Sequence, residues 1–175
     1  ADPELGLDLP KTQKKILEAL DGLGLDITTG KALTSVVADL DTGKPGPTIL
    51  LRGDMDALPL QEDLDVAWRS QNEQMMHACG HDVHITSLIG TAKQMVDRKN
   101  QWSGTLMLIG QPAEERVIGA RTMMADNLWQ RFGKPDYASA FHVSSILPSG
   151  MINVVEDTVD IYVRGDADYI TAARN

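Results

Sequence analysis

The sequence predicts an α/β protein, a mixed and largely parallel sheet with helices on both faces. Segments with apolar residues at helical spacing alternate with short β-like runs along the chain. Two of those runs, residues 48–52 and 105–109, are apolar at consecutive positions, as strands covered on both faces require. Hydrophobic residues make up 42% and charged residues 23% of the 175, a balance that builds one packed core and excludes a disordered, collagen-like or low-complexity chain.

Each element follows from local pattern. Over residues 10–23 the side chains of Ile16, Leu17, Leu20 and Leu23 share a helical face, Pro10 suits a first turn, and Gly22 and Gly24 end the run. Residues 25–29 and 34–40 read as a β-hairpin, and the turn-rich stretch 41–47 leads into a central strand at 48–52. Ile85, Leu88, Ile89, Ala92, Met95 and Val96 recur at three and four, which predicts a helix over 84–99. A buried strand at 104–110, a helical stretch at 117–128 and a strand at 137–143 follow. Residues 150–155 and 158–164 add two β-like segments, and no internal repeat is present.

Charge and composition exclude some partners. Acidic residues outnumber basic ones by 25 to 16, a net charge of −9 that disfavours a nucleic-acid surface. No apolar run approaches the roughly 20 residues of a membrane-spanning helix. The single cysteine, Cys79, forms no intrachain disulfide, and it reads as a buried filler, a nucleophile or a ligand. The chain opens on Ala1-Asp2-Pro3-Glu4 without a basic-then-apolar leader, which leaves the compartment open, since a removed signal peptide leaves no trace.

Three strand ends run into ionisable groups: Asp54-Met55-Asp56, Gln111-Pro112-Ala113-Glu114-Glu115 and His142. A parallel sheet gathers such ends along one edge. Carboxylates that close raise one another's pKa, and a divalent cation holds them ionised. The window His77-Ala78-Cys79-Gly80-His81-Asp82-Val83-His84 holds three of the four histidines, and a lone glycine between Cys79 and His81 lets both aim at one point. The adjoining helix N-terminus is expected to favour a Cys79 thiolate. Cys, His and Glu together suit Zn, Mn, Co or Ni rather than Mg or Ca. Glu114 and Glu115, adjacent on a loop, can face different sides, one on metal and one on the water that the metal activates, an arrangement for hydrolysis. Each residue also has a plainer reading: Cys79 and His142 as core residues, Asp54 and Asp56 as a strand-ending turn, Glu114-Glu115 as the acidic start of a helix.

The motifs Arg52-Gly53-Asp54-Met55-Asp56-Ala57-Leu58-Pro59, Met76-His77-Ala78-Cys79-Gly80-His81-Asp82-Val83-His84 and Gln111-Pro112-Ala113-Glu114-Glu115 resemble those of the metal-dependent amidohydrolases that include hippurate hydrolase, auxin-conjugate hydrolases and N-acyl-amino-acid amidohydrolases, relatives of aminoacylase and carboxypeptidase G. Asp2-Pro3-Glu4-Leu5-Gly6 is similar to an early His-Pro-Glu-Leu-Gly stretch of that family. The resemblance implies a zinc-exopeptidase-like catalytic domain and a site of two divalent transition metal ions. In it Cys79, His81, Glu115 and His142 would be ligands and Glu114 the general base. Asp56 would be a carboxylate that either supports the ligands or takes part in catalysis. The implied substrate is a small amide, above all an N-acyl amino acid, and homodimers are typical of the family.

After Ile161-Tyr162-Val163-Arg164-Gly165 the family continues into a Gly-Gly-His stretch that opens a lid domain, whereas Asp166-Ala167-Asp168-Tyr169 stands here. The expectation is therefore an incomplete catalytic domain over 1–158 without its lid, residues 159–175 being the lid's start or a divergent tail. A catalytically silent metal-binding fragment that acts as a binding module is the alternative. A flavodoxin-like nucleotide binder ranks last, because no Gly-rich phosphate loop follows the first strand. Residues 128–136 are similar to exported bacterial members, so the compartments expected are the cytoplasm or the bacterial periplasm.

Overall fold

The computed structural model describes residues 1–144, and the backbone alone of 151–156, 159–164 and 171–173. Helix α1 spans Pro10–Leu20, with proline at its start and Ile16 and Leu20 buried. Leu9 at the N-cap supplies no side-chain acceptor, and Glu4 takes over: its carboxylate accepts the main-chain N–H groups of Lys11 (3.1 Å) and Thr12 (2.7 Å). The helix stops three residues short of Leu23 because Asp21 turns extended and Gly22 follows at positive φ.

Strands β1 (Asp26–Thr29) and β2 (Val36–Asp41) form the expected antiparallel hairpin. Strand β3 (Thr48–Asp54) does not join β2, since β4 (Thr105–Gln111) lies between them, antiparallel to β2 and parallel to β3. Strand β5 (Tyr137–Ala140) pairs with the other side of β3, also parallel. Beyond it come β8 (Thr171–Ala173), β6 (Met151–Glu156) and β7 (Val159–Arg164), giving the order β1-β2-β4-β3-β5-β8-β6-β7. The sheet is mixed, as expected, with its central strands β4, β3 and β5 parallel. Short connections such as that between β1 and β2 permit only antiparallel neighbours, so the parallel share is smaller than the sequence suggests.

Helix α2 (His81–Asp97) crosses between β3 and β4, and α3 (Gly119–Ala125) with α4 (Leu128–Phe132) crosses between β4 and β5. Alternation along β4 separates the two layers. Leu106 and Leu108 pack with Ile16, Leu20, Ile85, Leu88 and Ala92 of α1 and α2. Met107 and Ile109 pack with Met123 and Leu128 of α3 and α4. Burying one of these leucine, isoleucine or methionine side chains contributes up to about 1.5–3 kcal/mol of transfer free energy.

Other boundaries also differ from expectation, and two of them shape the site. Helix α2 begins at His81 rather than His84, because Gly80 reaches the left-handed conformation (φ +84°) and starts the helix without a polar cap. Strand β5 ends at Ala140, so His142 lies beyond the sheet rather than on it. The single helix expected at 117–128 is two, broken at Asn127 in the left-handed region. The boundary expected at residue 158 lies outside the described residues. Among the described residues, no helix is long and apolar enough to cross a membrane.

Candidate metal centre

Strands β3 and β4 run parallel and end level, Asp54 standing opposite Gln111. Arg52 and Asp54, two apart, lie on one face of β3: the Arg52 guanidinium donates to Asp54 Oδ2 (2.6 Å) and to Gln111 Oε1 (3.0 Å). Asp54 is fully buried, and its Oδ1 accepts from His84 Nδ1 at 2.6 Å. Burial pushes this carboxyl up, but the His84 hydrogen bond and the Arg52 charge together outweigh it and hold Asp54 below its ordinary pKa.

His81 and His84, three apart in the first turn of α2, face this strand end and are each 1% exposed. His81 Nδ1 lies 2.8 Å from the carbonyl oxygen of Asp56, which can only accept, so Nδ1 carries the hydrogen. The other nitrogen, Nε2, is buried with no hydrogen-bond partner among the described residues. Around it stand Asp54 Oδ2 at 3.5 Å, Glu114 Oε2 at 3.6 Å and Glu115 Oε1 at 3.7 Å. Burial lowers the His81 pKa, yet the Asp56 carboxylate, whose Oδ1 lies 3.5 Å from Nδ1, and the surrounding carboxylates reverse this and raise it overall. The point in front of Nε2 therefore favours positive charge, whether a proton or a metal ion.

Asp56 is buried and turned toward the next strand end. Its two oxygens accept the main-chain N–H groups of Glu114 (3.0 Å) and Glu115 (3.1 Å). The loop beneath is tight: Ala113 sits at φ +54°, and its carbonyl accepts from Gly119 N–H. A Cβ on Gly119 would lie 1.8 Å from the Pro112 carbonyl oxygen. The result aims two adjacent carboxylates at His81. Glu115 is the more enclosed, and its Oε1 is buried without a hydrogen-bond partner among the described residues; Glu114 is the more open.

Cys79 and His142 close the remaining side. Cys79 Sγ is 3.3 Å from His142 Nε2, whose Nδ1 donates to the Val143 carbonyl oxygen (2.6 Å). Burial, then the negative charges of Glu115 and Glu114, push the Cys79 thiol up to about 11. Burial and the neighbouring carboxylates thus outweigh the helix N-terminus expected to favour a Cys79 thiolate, and a bound cation would offset them.

Among the described residues, three ligand groups, each with its donor atoms within 4.8 Å of one another, share His81: Cys79 with His142, Glu114 with Glu115, and Asp54 with His84. The first two hold all four ligands expected from the sequence and Glu114. Their donor set of thiol, imidazole and carboxylate, with two buried acceptors lacking partners, fits transition metal ions. His84 has no free nitrogen, since its Nε2 accepts the Val143 N–H (2.9 Å). His77 stands outside these groups; its Nδ1 is buried without a hydrogen-bond partner among the described residues, and burial lowers its pKa. Sequence reasoning placed Asp54 among the strand-end carboxylates and His84 in the histidine-rich window but gave neither a defined role, and it did not single out Arg52, although the two-residue spacing on β3 and the three-residue spacing of the histidines are signals for such a cluster.

Residues 50–171 match the profile of peptidase family M20/M25/M40. Thermostable carboxypeptidase 2 of Saccharolobus solfataricus is 38% identical over 98% of this chain and 45% of its own length. Hippurate hydrolase of Campylobacter jejuni is 41% identical over 81% of this chain and 36% of its own. N-acetylcysteine deacetylase of Bacillus subtilis is 34% identical over 99% of this chain and 47% of its own. The chain thus spans less than half the length of these curated relatives. Among solved structures, the Bacillus subtilis YxeP protein, described as a dinuclear metal binding peptidase from the M20 family, superposes with a TM-score of 0.79 at 35% identity, over 89% of this chain and 42% of that one.

Proposed function

The chain belongs to peptidase family M20/M25/M40, and from that premise we propose that it serves the metal-dependent hydrolysis of amide bonds, with N-acyl amino acids as the substrate class. The observation that carries this reading is His81 Nε2, buried and without a hydrogen-bond partner, facing three carboxylate oxygens at 3.5–3.7 Å. The substrate class is suggested by relatives named as a hippurate hydrolase, an N-acetylcysteine deacetylase and hydrolases of IAA-amino acids.

Cys79, His81, Glu115 and His142 would hold two divalent ions, drawn by donor softness from Zn, Mn, Co and Ni. The pair is supported by the dinuclear description of the YxeP structure. Bound there, the ions would supply Lewis acidity, polarising the amide carbonyl and making water a nucleophile near neutral pH.

The chain's own groups account for the rest. Glu114, the more open of the two glutamates, accepts a proton at a carboxylate oxygen from the attacking water and returns it to the leaving nitrogen as the C–N bond breaks. Water and amide become a carboxylic acid and an amine. Asp56 holds the main chain of Glu114 and Glu115 so that one carboxylate is enclosed and the other open. Asp54, kept ionised by Arg52 and His84, adds negative charge beside His81.

Elemental analysis of the purified chain, beside Cys79→Ala, tests the metal centre, and release of free amino acid from N-acyl amino acids tests the reaction. About two ions per chain, fewer in the variant, together with turnover, is the expected result. Absence of transition metal after incubation with Zn²⁺ or Mn²⁺ would overturn the metal centre. Metal without turnover would favour the binding-module reading instead.

A further inference from the structure

We infer that His84 is a positioning residue that fixes the metal-ligand candidate His142 by gripping the main chain beside it. The inference rests on the metal centre proposed above and concerns a residue that donates no electron pair to it.

His142 has no place in the sheet. Strand β5 ends at Ala140, and residues 141–144 carry no strand pairing. His142 and Val143 are both exposed, so packing does little to hold them. Yet His142 Nε2 lies at Cys79 Sγ, and three contacts made by helix α2 and its cap explain how it stays there.

The first contact is the hydrogen bond from the Val143 N–H to His84 Nε2 at 2.9 Å. The second is at Gly80, where a Cβ would lie 2.2 Å from Val143 Cγ2, so any larger residue there would push the Val143 side chain out of its place. The third is the seating of the His142 ring on the His84 ring, with centroids 4.6 Å apart. Together they clip residues 142–143 to the first turn of α2, the turn that also carries His81.

The chemistry of the clip is directional. An N–H donor at Nε2 requires that nitrogen to be bare, so Nδ1 must carry the hydrogen. Nδ1 donates to Asp54 Oδ1 at 2.6 Å, and Arg52 holds the other Asp54 oxygen at 2.6 Å. Arg52 and Asp54 thereby select the His84 tautomer that accepts from Val143, and a chain of hydrogen bonds through the buried Asp54 and His84 runs from β3 to the His142 segment.

Isosteric variants separate this role from simple packing. Asparagine places its amide N–H where Nδ1 stood and keeps the bond to Asp54, but offers nothing at the Nε2 position; glutamine reaches that position with an acceptor oxygen. Titration of the chain with Zn²⁺ alone should show His84→Asn binding about 10- to 100-fold more weakly than wild type. His84→Gln should lie between the two. The combination His84→Asn with His142→Ala should bind no more weakly than His142→Ala, because the grip has then lost its object. Additive losses, or an unchanged affinity in His84→Asn, would overturn the inference while leaving the metal centre standing. Wild-type chain that takes up no Zn²⁺ would overturn the metal centre and with it the role of His84 toward a metal. Hydrogen exchange at the Val143 amide reads the grip itself: protection in wild type and His84→Gln that is lost in His84→Asn is expected, and equal exchange in all three would overturn it.

Discussion

His81 gives its Nδ1 hydrogen to the main-chain carbonyl of Asp56 at 2.8 Å, and that single bond decides which nitrogen faces the carboxylates. A main-chain acceptor cannot be titrated or turned by rotating a side chain. The lone pair of Nε2 is therefore kept on the side of Asp54, Glu114 and Glu115 by the fold of β3 and α2.

The division between the two glutamates predicts separable effects. Glu114→Gln should lower turnover of N-acyl amino acids by about 10²- to 10⁴-fold while leaving metal content unchanged. Steady-state assay beside elemental analysis checks this. Retained turnover would remove Glu114 from the role of base.

Asp56 is expected to act through its neighbours. In Asp56→Asn one amide group faces a main-chain N–H, leaving a buried donor without an acceptor. The expected cost is about 1–3 kcal/mol of stability in urea denaturation. Weaker Zn²⁺ binding should accompany it, since the loop that aims Glu115 loosens. A variant as stable as wild type would show that the two amides find other partners.

Asp39 predicts a pH dependence away from the site. Half-buried on β2 opposite Asp26, it is pushed up to about 6 first by burial and then by the Asp26 charge. The folded chain holds this proton more tightly than the unfolded chain, so Asp39 makes stability fall as pH rises from about 4 through 6. Asp39→Asn should be more stable than wild type at pH 7.5 by about 1 kcal/mol, after allowance for its partial exposure, and no more stable at pH 4. Equal denaturation midpoints at both pH values would contradict this.

Two glycines should respond to alanine with opposite signs. Gly119→Ala drives a methyl group against the Pro112 carbonyl oxygen at 1.8 Å and should cost about 1–3 kcal/mol or more, as well as disturbing Glu114 and Glu115. Gly90→Ala, in the middle of α2 with nothing within 4 Å, should stabilise by about 0.5–1 kcal/mol. Thermal melting of both variants is the check.

Much of the frame was legible in the chain. Consecutive apolar residues marked β3 and β4 as covered on both faces, and the three-four spacing from Ile85 to Val96 marked α2. The helix start escaped because Gly80 is no polar cap and the apolar period begins at Ile85, four residues after the helix does. The end of β5 escaped because Phe141 and Val143 extend its apolar pattern beyond its pairing. Within the site, residue types pointed to Cys79, His81, Glu114, Glu115 and His142, which the fold brings together. The bonds from Asp54 to His84 and from Asp56 to two main-chain amides join positions 30, 58 and 59 residues apart, and no local pattern encodes them.

That separation has a thermodynamic consequence. Cys79 and His142 are 63 residues apart in the chain, and Glu115 enters from yet another strand end. An unfolded chain offers these donors no common point, so an ion that binds them works as a reversible cross-link and selects the native state by mass action. At a free concentration 100 times its dissociation constant, one such ion would add about 2.7 kcal/mol to the stability of the chain. A chelator would then behave as a mild denaturant of the whole sheet edge, and the melting temperature of the protein would report the occupancy of its site.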